Sequence, residues 1–186
     1  MTQIIGGRFR GKRLECLSND TTRPTTNRVR ENIFNILGER VRDSRVLDLF
    51  AGSGANTAEC ISRGATFVVA NDKDPEAFNV LSRNTSSISC RGDSVVTTYN
   101  LDYLVLLGQL RGQRFDIVFL DPPYESDFGL RAIEYLRLNN MLSADSIVVF
   151  ETEQQVDCID GFDMRPRKYG RARIYLLQPQ QKTTCE

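Results

Sequence analysis

Four consecutive residues, Asp121-Pro122-Pro123-Tyr124, follow directly on the apolar run of residues 115–120. Two prolines after a buried strand hold the exit loop rigid and supply no backbone N–H, so the Asp121 carboxylate and the loop carbonyls are fixed as acceptors. Tyr124 adds a ring for stacking. A planar amino group, such as the exocyclic amine of a nucleic-acid base, has its lone pair delocalised and is a poor nucleophile. Acceptors aimed at its two hydrogens favour a pyramidal nitrogen, whose lone pair then points at an electrophile. With a methyl-sulfonium electrophile the transfer is direct and needs no metal, histidine or covalent intermediate. Asp121 is also a candidate acceptor for the released proton, as is water. The competing reading is a strand-ending Pro-Pro turn with a buried tyrosine.

A donor for that chemistry needs a cradle. Residues 45–50 form another apolar run, which ends Val46-Leu47-Asp48-Leu49-Phe50 and leads at once into Ala51-Gly52-Ser53-Gly54. Glycines at a strand-to-helix turn let the backbone bend sharply and approach a ligand, at the strand ends where open α/β sheets bind ligands. The third glycine of a G-x-G-x-x-G fingerprint falls at Thr57, so the dinucleotide match is incomplete. Asp72, with Lys73 beside it, ends the next run, where a carboxylate accepts both ribose hydroxyls of an adenosyl group. Asp48 can face the positively charged amino-acid end of S-adenosylmethionine, where a dinucleotide pyrophosphate would be repelled. The set Asp48, Phe50, Ala51, Gly52, Ser53, Gly54, Asp72 and Lys73 therefore favours S-adenosylmethionine over NAD. Asn100, ending the third run after Tyr99, is the candidate for the adenine. A tight turn without ligand is the alternative for the loop, and a helix N-cap is the alternative for Asp72, a role Asp74 can take ahead of Pro75.

These residues need a sheet to bring them together. Runs rich in Val, Ile, Leu and Phe at 45–50, 66–71, 94–99, 115–120 and 146–151 read as buried parallel strands. Helical spacing occupies residues 55–63, 75–86, 101–110 and 128–138 between them, so strand alternates with helix in a Rossmann-like, mostly parallel α/β sheet. Residues 162–168 and 172–178, joined at Tyr169-Gly170-Arg171, predict an antiparallel C-terminal hairpin. Residues 3–5 and 13–16 predict a small N-terminal β-hairpin around Gly6-Gly7 and Gly11. After the polar stretch 18–23, Pro24 leads into a helix with Val29, Ile33, Ile36 and Leu37 on one face. A single domain is expected over 1–186, with a basic arm at 1–24 and the core at 25–186.

The chain has no histidine, which excludes imidazole bases and ligands, and its five cysteines lack metal or redox spacing. No metal is expected. No Pro-Cys pair is present for a pyrimidine-carbon mechanism. The absence of a long apolar run and of a secretory signal predicts a cytoplasmic protein with no membrane partner. Net charge is zero, yet residues 1–45 hold ten Lys/Arg against five Asp/Glu, so a basic end sits on an acidic body. That asymmetry suits a polyanion, or simply a solvated surface.

The combination Ile4-Ile5-Gly6-Gly7 with Arg10-Gly11, Arg23-Pro24-Thr25-Thr26 with Arg28-Val29-Arg30-Glu31, the loop at 47–54 and Asp121 to Tyr124 resembles the RsmD family of bacterial small-subunit ribosomal RNA guanine-N2 methyltransferases. The tetrapeptide alone also suits DNA adenine-N6 and protein glutamine-N5 enzymes; the N-terminal glycines with Arg-Pro-Thr-Thr are narrower. The resemblance implies a class I methyltransferase fold, S-adenosylmethionine as donor, and methylation of one guanine N2 in 16S ribosomal RNA during subunit assembly. It places Asp121 to Tyr124 at the target base. Where many such enzymes carry an acid near the adenine, this chain reads Tyr99-Asn100. Arg8, Arg10, Lys12, Arg23, Thr26, Arg28 and Arg30 are then the candidate RNA contacts, with a second basic cluster on the final hairpin. A partly assembled particle is the expected substrate. A noncatalytic RNA-binding assembly factor is the alternative from a different class, and the intact tetrapeptide argues against it.

Overall fold

The computed structural model describes residues 2–17, 27–89, 94–123 and 126–180. Tyr124, Arg23 and Thr26 lie outside them. Strands β1 (Thr2–Gln3) and β2 (Arg13–Leu14) pair antiparallel, Thr2 opposite Leu14. This hairpin is shorter than the sequence predicts, because Ile5 and Gly6 turn their N–H groups onto a side chain rather than a strand. Helix α1 (Asn27–Leu37) follows and leads through a 3-10 turn, Gly38–Val41, into β3 (Arg45–Asp48).

The rest alternates as expected: α2 (Ala55–Ser62), β4 (Phe67–Asn71), α3 (Pro75–Ser89), β5 (Val95–Tyr99), α4 (Tyr103–Gln109), β6 (Phe115–Leu120), α5 (Phe128–Leu138), β7 (Leu142–Thr152), then β8 (Phe162–Tyr169) and β9 (Ala172–Pro179). The seven-stranded sheet has the order β5-β4-β3-β6-β7-β9-β8. Its first five strands are parallel, and the terminal hairpin joins antiparallel through β9. Several boundaries differ from the sequence reading, among them the end of α3, three residues later than predicted. β7 begins four residues earlier than predicted, and α4 begins at Tyr103 because Asp102 caps it, accepting from the Leu104 N–H at 3.0 Å.

Neighbouring strand residues feed opposite faces, as the pleat requires. Val46, Val68, Ile117, Val149 and Ile174 pack under α1, α2 and α3, whereas Leu47, Val69, Val118, Val148 and Leu177 pack under α4 and α5. The buried face of α1 is Val29, Arg30, Ile33, Phe34 and Leu37. Ile36, expected on that face, is 44% exposed, and Phe34 takes its place, stacked on Phe119 at 5.7 Å. The helix is rotated so that Arg30, one turn before Phe34, also turns inward. Among the described residues, no helix is long and apolar enough to cross a membrane.

Candidate active site

The sheet order reverses between β3 and β6, and this switch point is where an open α/β sheet leaves a crevice at its strand ends. A cavity of about 360 Å³ opens there, at the C-terminal ends of β3, β4, β6 and β7. Of the residues singled out in the sequence, it brings together Phe50, Ala51, Gly52, Ser53, Asp72, Lys73, Asp121, Pro122, Pro123 and Arg30.

One wall is the glycine turn. Gly52 has φ 55° with nothing within 4 Å of where a Cβ would stand, so its backbone is bare toward the cavity. The Gly52 N–H donates to Asp72 Oδ2 at 2.8 Å, and Asp72 Oδ1 accepts from the Asp74 N–H at 2.9 Å. Each oxygen retains a lone pair for a further donor. Burial raises the Asp72 pKa, and these two backbone bonds act against the shift. Asp74 caps α3, accepting from Glu76 N–H at 2.7 Å and Ala77 N–H at 3.0 Å, which leaves Asp72 to the cavity. Asn71 ties the strand ends, donating to the Leu49 and Leu101 carbonyls, both at 3.1 Å.

Three expected residues do not line the cavity. Gly54 instead provides the left-handed start of α2, φ 81°, and packs so closely that a Cβ would lie 2.5 Å from Leu81 Cδ1. Asn100 is a strut behind Asp72, donating to the Asp72 carbonyl at 2.8 Å and the Lys73 carbonyl at 3.0 Å. Asp48 is 2% exposed behind the turn, its Oδ2 accepting from Thr57 Oγ1 at 2.6 Å. Burial pushes its pKa to about 6, with Asp72 adding to the rise and the Thr57 hydrogen bond opposing it.

The end of β6 supplies Asp121, Pro122 and Pro123. Pro122 is buried and Pro123 exposed. The Pro123 carbonyl accepts from Ser126 Oγ at 2.7 Å, so this carbonyl closes the loop rather than facing the cavity. Two acids that the sequence reading missed complete the lining. Glu151, 7% exposed, is the penultimate residue of β7 and stands beside Asp121, since Phe150 pairs with Leu120. Asp102 lies two residues beyond Asn100, and its Oδ2 stands 3.8 Å from Lys73 Nζ. An aromatic row, Phe50, Tyr103 and Phe128, with successive centroids 5.4 and 5.1 Å apart, forms an apolar side. Knowledge of the strand order would have flagged Glu151, as the acid near the end of the strand next to the tetrapeptide.

Arg30 is not the surface arginine the sequence reading expects. It is 4% exposed, lines the cavity, and donates through Nη2 to the Gln3 carbonyl at 2.7 Å and Asn27 Oδ1 at 2.9 Å. Desolvation lowers its pKa, and Glu59 acts in the opposite direction. Gln3 is itself held by the hairpin, whose anchor is Glu59, fully buried in α2. The two Glu59 oxygens accept from the Ile5 and Gly6 N–H groups, both at 2.8 Å, and Arg63 Nε adds a bond at 2.7 Å. Ser62 extends the clamp, donating to the Gly6 carbonyl at 2.6 Å and accepting from the Phe9 N–H at 2.9 Å. Thr2 and Leu17, at the open end of the hairpin, reach the cavity lining.

The turn of this hairpin lies at the far end of α2. The Arg8 N–H donates to the Ser62 carbonyl at 2.7 Å, so the exposed Arg8 and Arg10 sit near the opposite edge of the sheet, about 12 Å along the helix from the cavity. Lys12 is bonded to the Ser87 carbonyl at 2.6 Å. Arg28 is exposed in the first turn of α1.

The family model described as Conserved hypothetical protein 95 matches residues 2–178. The Ribosomal RNA small subunit methyltransferase D of Haemophilus influenzae is 37% identical over 155 residues, 82% of this chain and 79% of the relative. The protein of the same name from Escherichia coli K12 is 33% identical over 151 residues, 81% of this chain and 74% of the relative. A solved Escherichia coli structure, described as the candidate methyltransferase yhhF, superposes with a TM-score of 0.83 at 29% identity, covering 96% of this chain and 98% of that one. The family match over residues 2–178 takes in the cavity lining and both hairpins, and the chain belongs to the RsmD family.

Proposed function

We propose that this cavity transfers a methyl group from S-adenosylmethionine to the exocyclic N2 of a guanine in small-subunit ribosomal RNA. The names of the relatives support the RNA class, and the pairing of Asp121 with Glu151 at the ends of adjacent strands supports the base. Guanine presents two neighbouring donors, N1–H and N2–H₂. Adenine presents an acceptor at N1, which a carboxylate there repels. Asp121 then takes an N2 hydrogen while Glu151 takes N1–H, and the Watson–Crick edge is read by charge alone.

The residues on the cradle side fit the cofactor. The bare Gly52 backbone, the Asp72 carboxylate with lone pairs left over, and the Phe50 ring suit an adenosyl group, with Asp102 placed for an adenine amine. Asp72 would hold the ribose hydroxyls and Asp102 the adenine, correcting the expectation for Asn100, while Asp48 supplies negative potential from behind the turn. When bound, S-adenosylmethionine supplies an activated methyl group. Asp121, held by Pro122 and Pro123, orients the amine and favours a pyramidal nitrogen. Tyr124 remains the proposed stacking partner. Released from its stack, the target base enters the cavity while the flanking phosphates stay outside.

Among many guanines of similar surroundings, a small cavity reads one base only, so a partly assembled particle is the proposed substrate. Labelled methyl transfer to unmodified small-subunit RNA and to particles, followed by nucleoside analysis, tests both points. N2-methylguanosine formed faster on particles is the expected result. N6-methyladenosine, or label in protein, would refute the guanine reading, and equal rates on free RNA and particles would refute the particle.

A further inference from the structure

We infer that the turn between β8 and β9 is a binding surface for the RNA phosphates that flank the base in the cavity; this rests on the substrate reading above. The strand register fixes where the turn stands. Thr152, one residue past Glu151, pairs with Arg173, and Arg173 pairs with Lys168. The segment Tyr169-Gly170-Arg171 therefore projects past the cavity edge of the sheet. β8 is two strand spacings from β7, about 10 Å, a span covered by a few nucleotides of RNA.

The chemistry there is one-sided. Residues 165–173 hold Arg165, Arg167, Lys168, Arg171 and Arg173 and no acid, in a chain whose total charge is zero. Arg165, Arg167, Lys168 and Arg171 are exposed. Among the described residues, none of the five is in an ion pair. Arg167 and Arg173 each donate to one backbone carbonyl, those of Pro166 and Glu153, both at 2.9 Å. Register also distributes the charge. Arg165 and Arg167 stand opposite Leu176 and Ile174 on the α1 face, whereas Lys168 and Arg173 share the other face. Positive charge thus wraps both sides of the edge, an arrangement suited to a polyanionic strand crossing it rather than to a flat protein interface.

A charged edge strand also deters strand addition. Pro166, midway along β8, already serves that purpose, and deterrence needs no run of a single sign. The turn of the N-terminal hairpin offers no equivalent at the cavity, because its Arg8 and Arg10 stand at the other edge, and Arg30 of α1 is buried.

The test is the triple variant Arg167→Gln/Lys168→Gln/Arg171→Gln, assayed by filter binding to unmodified small-subunit ribosomal RNA between 50 and 200 mM salt. Losing three phosphate contacts should weaken binding at least about 10-fold at low salt and flatten the slope of log affinity against log salt by about 2, near 0.7 for each contact. S-adenosylmethionine affinity and melting temperature should stay at the unaltered values. A charge-keeping variant, Arg167→Lys/Arg171→Lys, should retain both affinity and slope. Unchanged affinity and slope in the triple variant, with the unaltered chain methylating RNA normally, would overturn the inference and leave β8 as a guarded edge. An unaltered chain that neither binds nor methylates the RNA, free or in partly assembled particles, would overturn the substrate reading itself, and this inference with it.

Discussion

The two hairpins of this molecule are built to opposite specifications. The N-terminal one has only two residues in each strand and stays in place through side chains, with Glu59 and Ser62 of α2 bonded to its backbone at Ile5, Gly6 and Phe9. The C-terminal one has eight residues in each strand and is part of the main sheet, held mainly by its own strand ladder. The first is a bolted part whose open end completes the cavity. The second is a rigid arm whose charged end is left exposed. Basic residues occur on both, and what separates them is which edge of the sheet each turn reaches.

Removing the bolt should have the largest effect. Glu59→Ala leaves two half-buried N–H groups and Arg63 without their acceptor, a loss of about 3–5 kcal/mol. At roughly 2–4 °C per kcal/mol, differential scanning calorimetry should show the melting temperature fall by about 10 °C. Limited proteolysis should then open residues 2–17. A melting temperature within a degree or two of the unaltered chain would mean that the hairpin is held by its apolar contacts alone.

The cradle between the hairpins gives an intermediate effect that depends on pH. The folded pKa of Asp48, about 6, lies above its ordinary 3.8, so the stability this group contributes is fully present below 3.8 and is lost as pH rises through about 6. Between pH 4 and 7 that amounts to on the order of 2–3 kcal/mol. Urea titrations should show Asp48→Asn gaining on the unaltered chain by that order over this range. Parallel pH profiles for the two proteins would contradict the burial argument. The smallest stability effect belongs to the C-terminal turn: the triple variant there should unfold within about 0.5 kcal/mol of the unaltered chain, even as its RNA affinity falls.

The fold was largely legible because its strands are continuous apolar runs and its punctuation is strong. β6, from Phe115 to Leu120, and α5, from Phe128 to Leu138, fall where the sequence reading put them. That the glycine turn, Asp72 and the segment from Asp121 to Pro123 meet at one cavity was legible for the same reason, as each sits at the end of such a run. Residues whose roles depend on strand order were not. Glu151 and Asp102 look like ordinary acids at element ends until β7 is set beside β6 and the start of α4 beside Lys73. Glu59, in the middle of a helix, reads as a solvated acid, and only a hairpin laid over α2 buries it. Arg30 misled for the converse reason: neighbouring arginines suggested a surface, while the rotation of α1 that buries Phe34 takes Arg30 inward as well.

The most direct test of the central claim is Asp121→Ala, measured by labelled methyl transfer to small-subunit ribosomal RNA alongside calorimetric binding of S-adenosylmethionine. Transfer should fall by about 100-fold or more while cofactor affinity changes by no more than a few-fold, because the residue acts on the accepting amine. Transfer close to that of the unaltered chain would contradict the account and return the tetrapeptide to the role of a strand-ending turn.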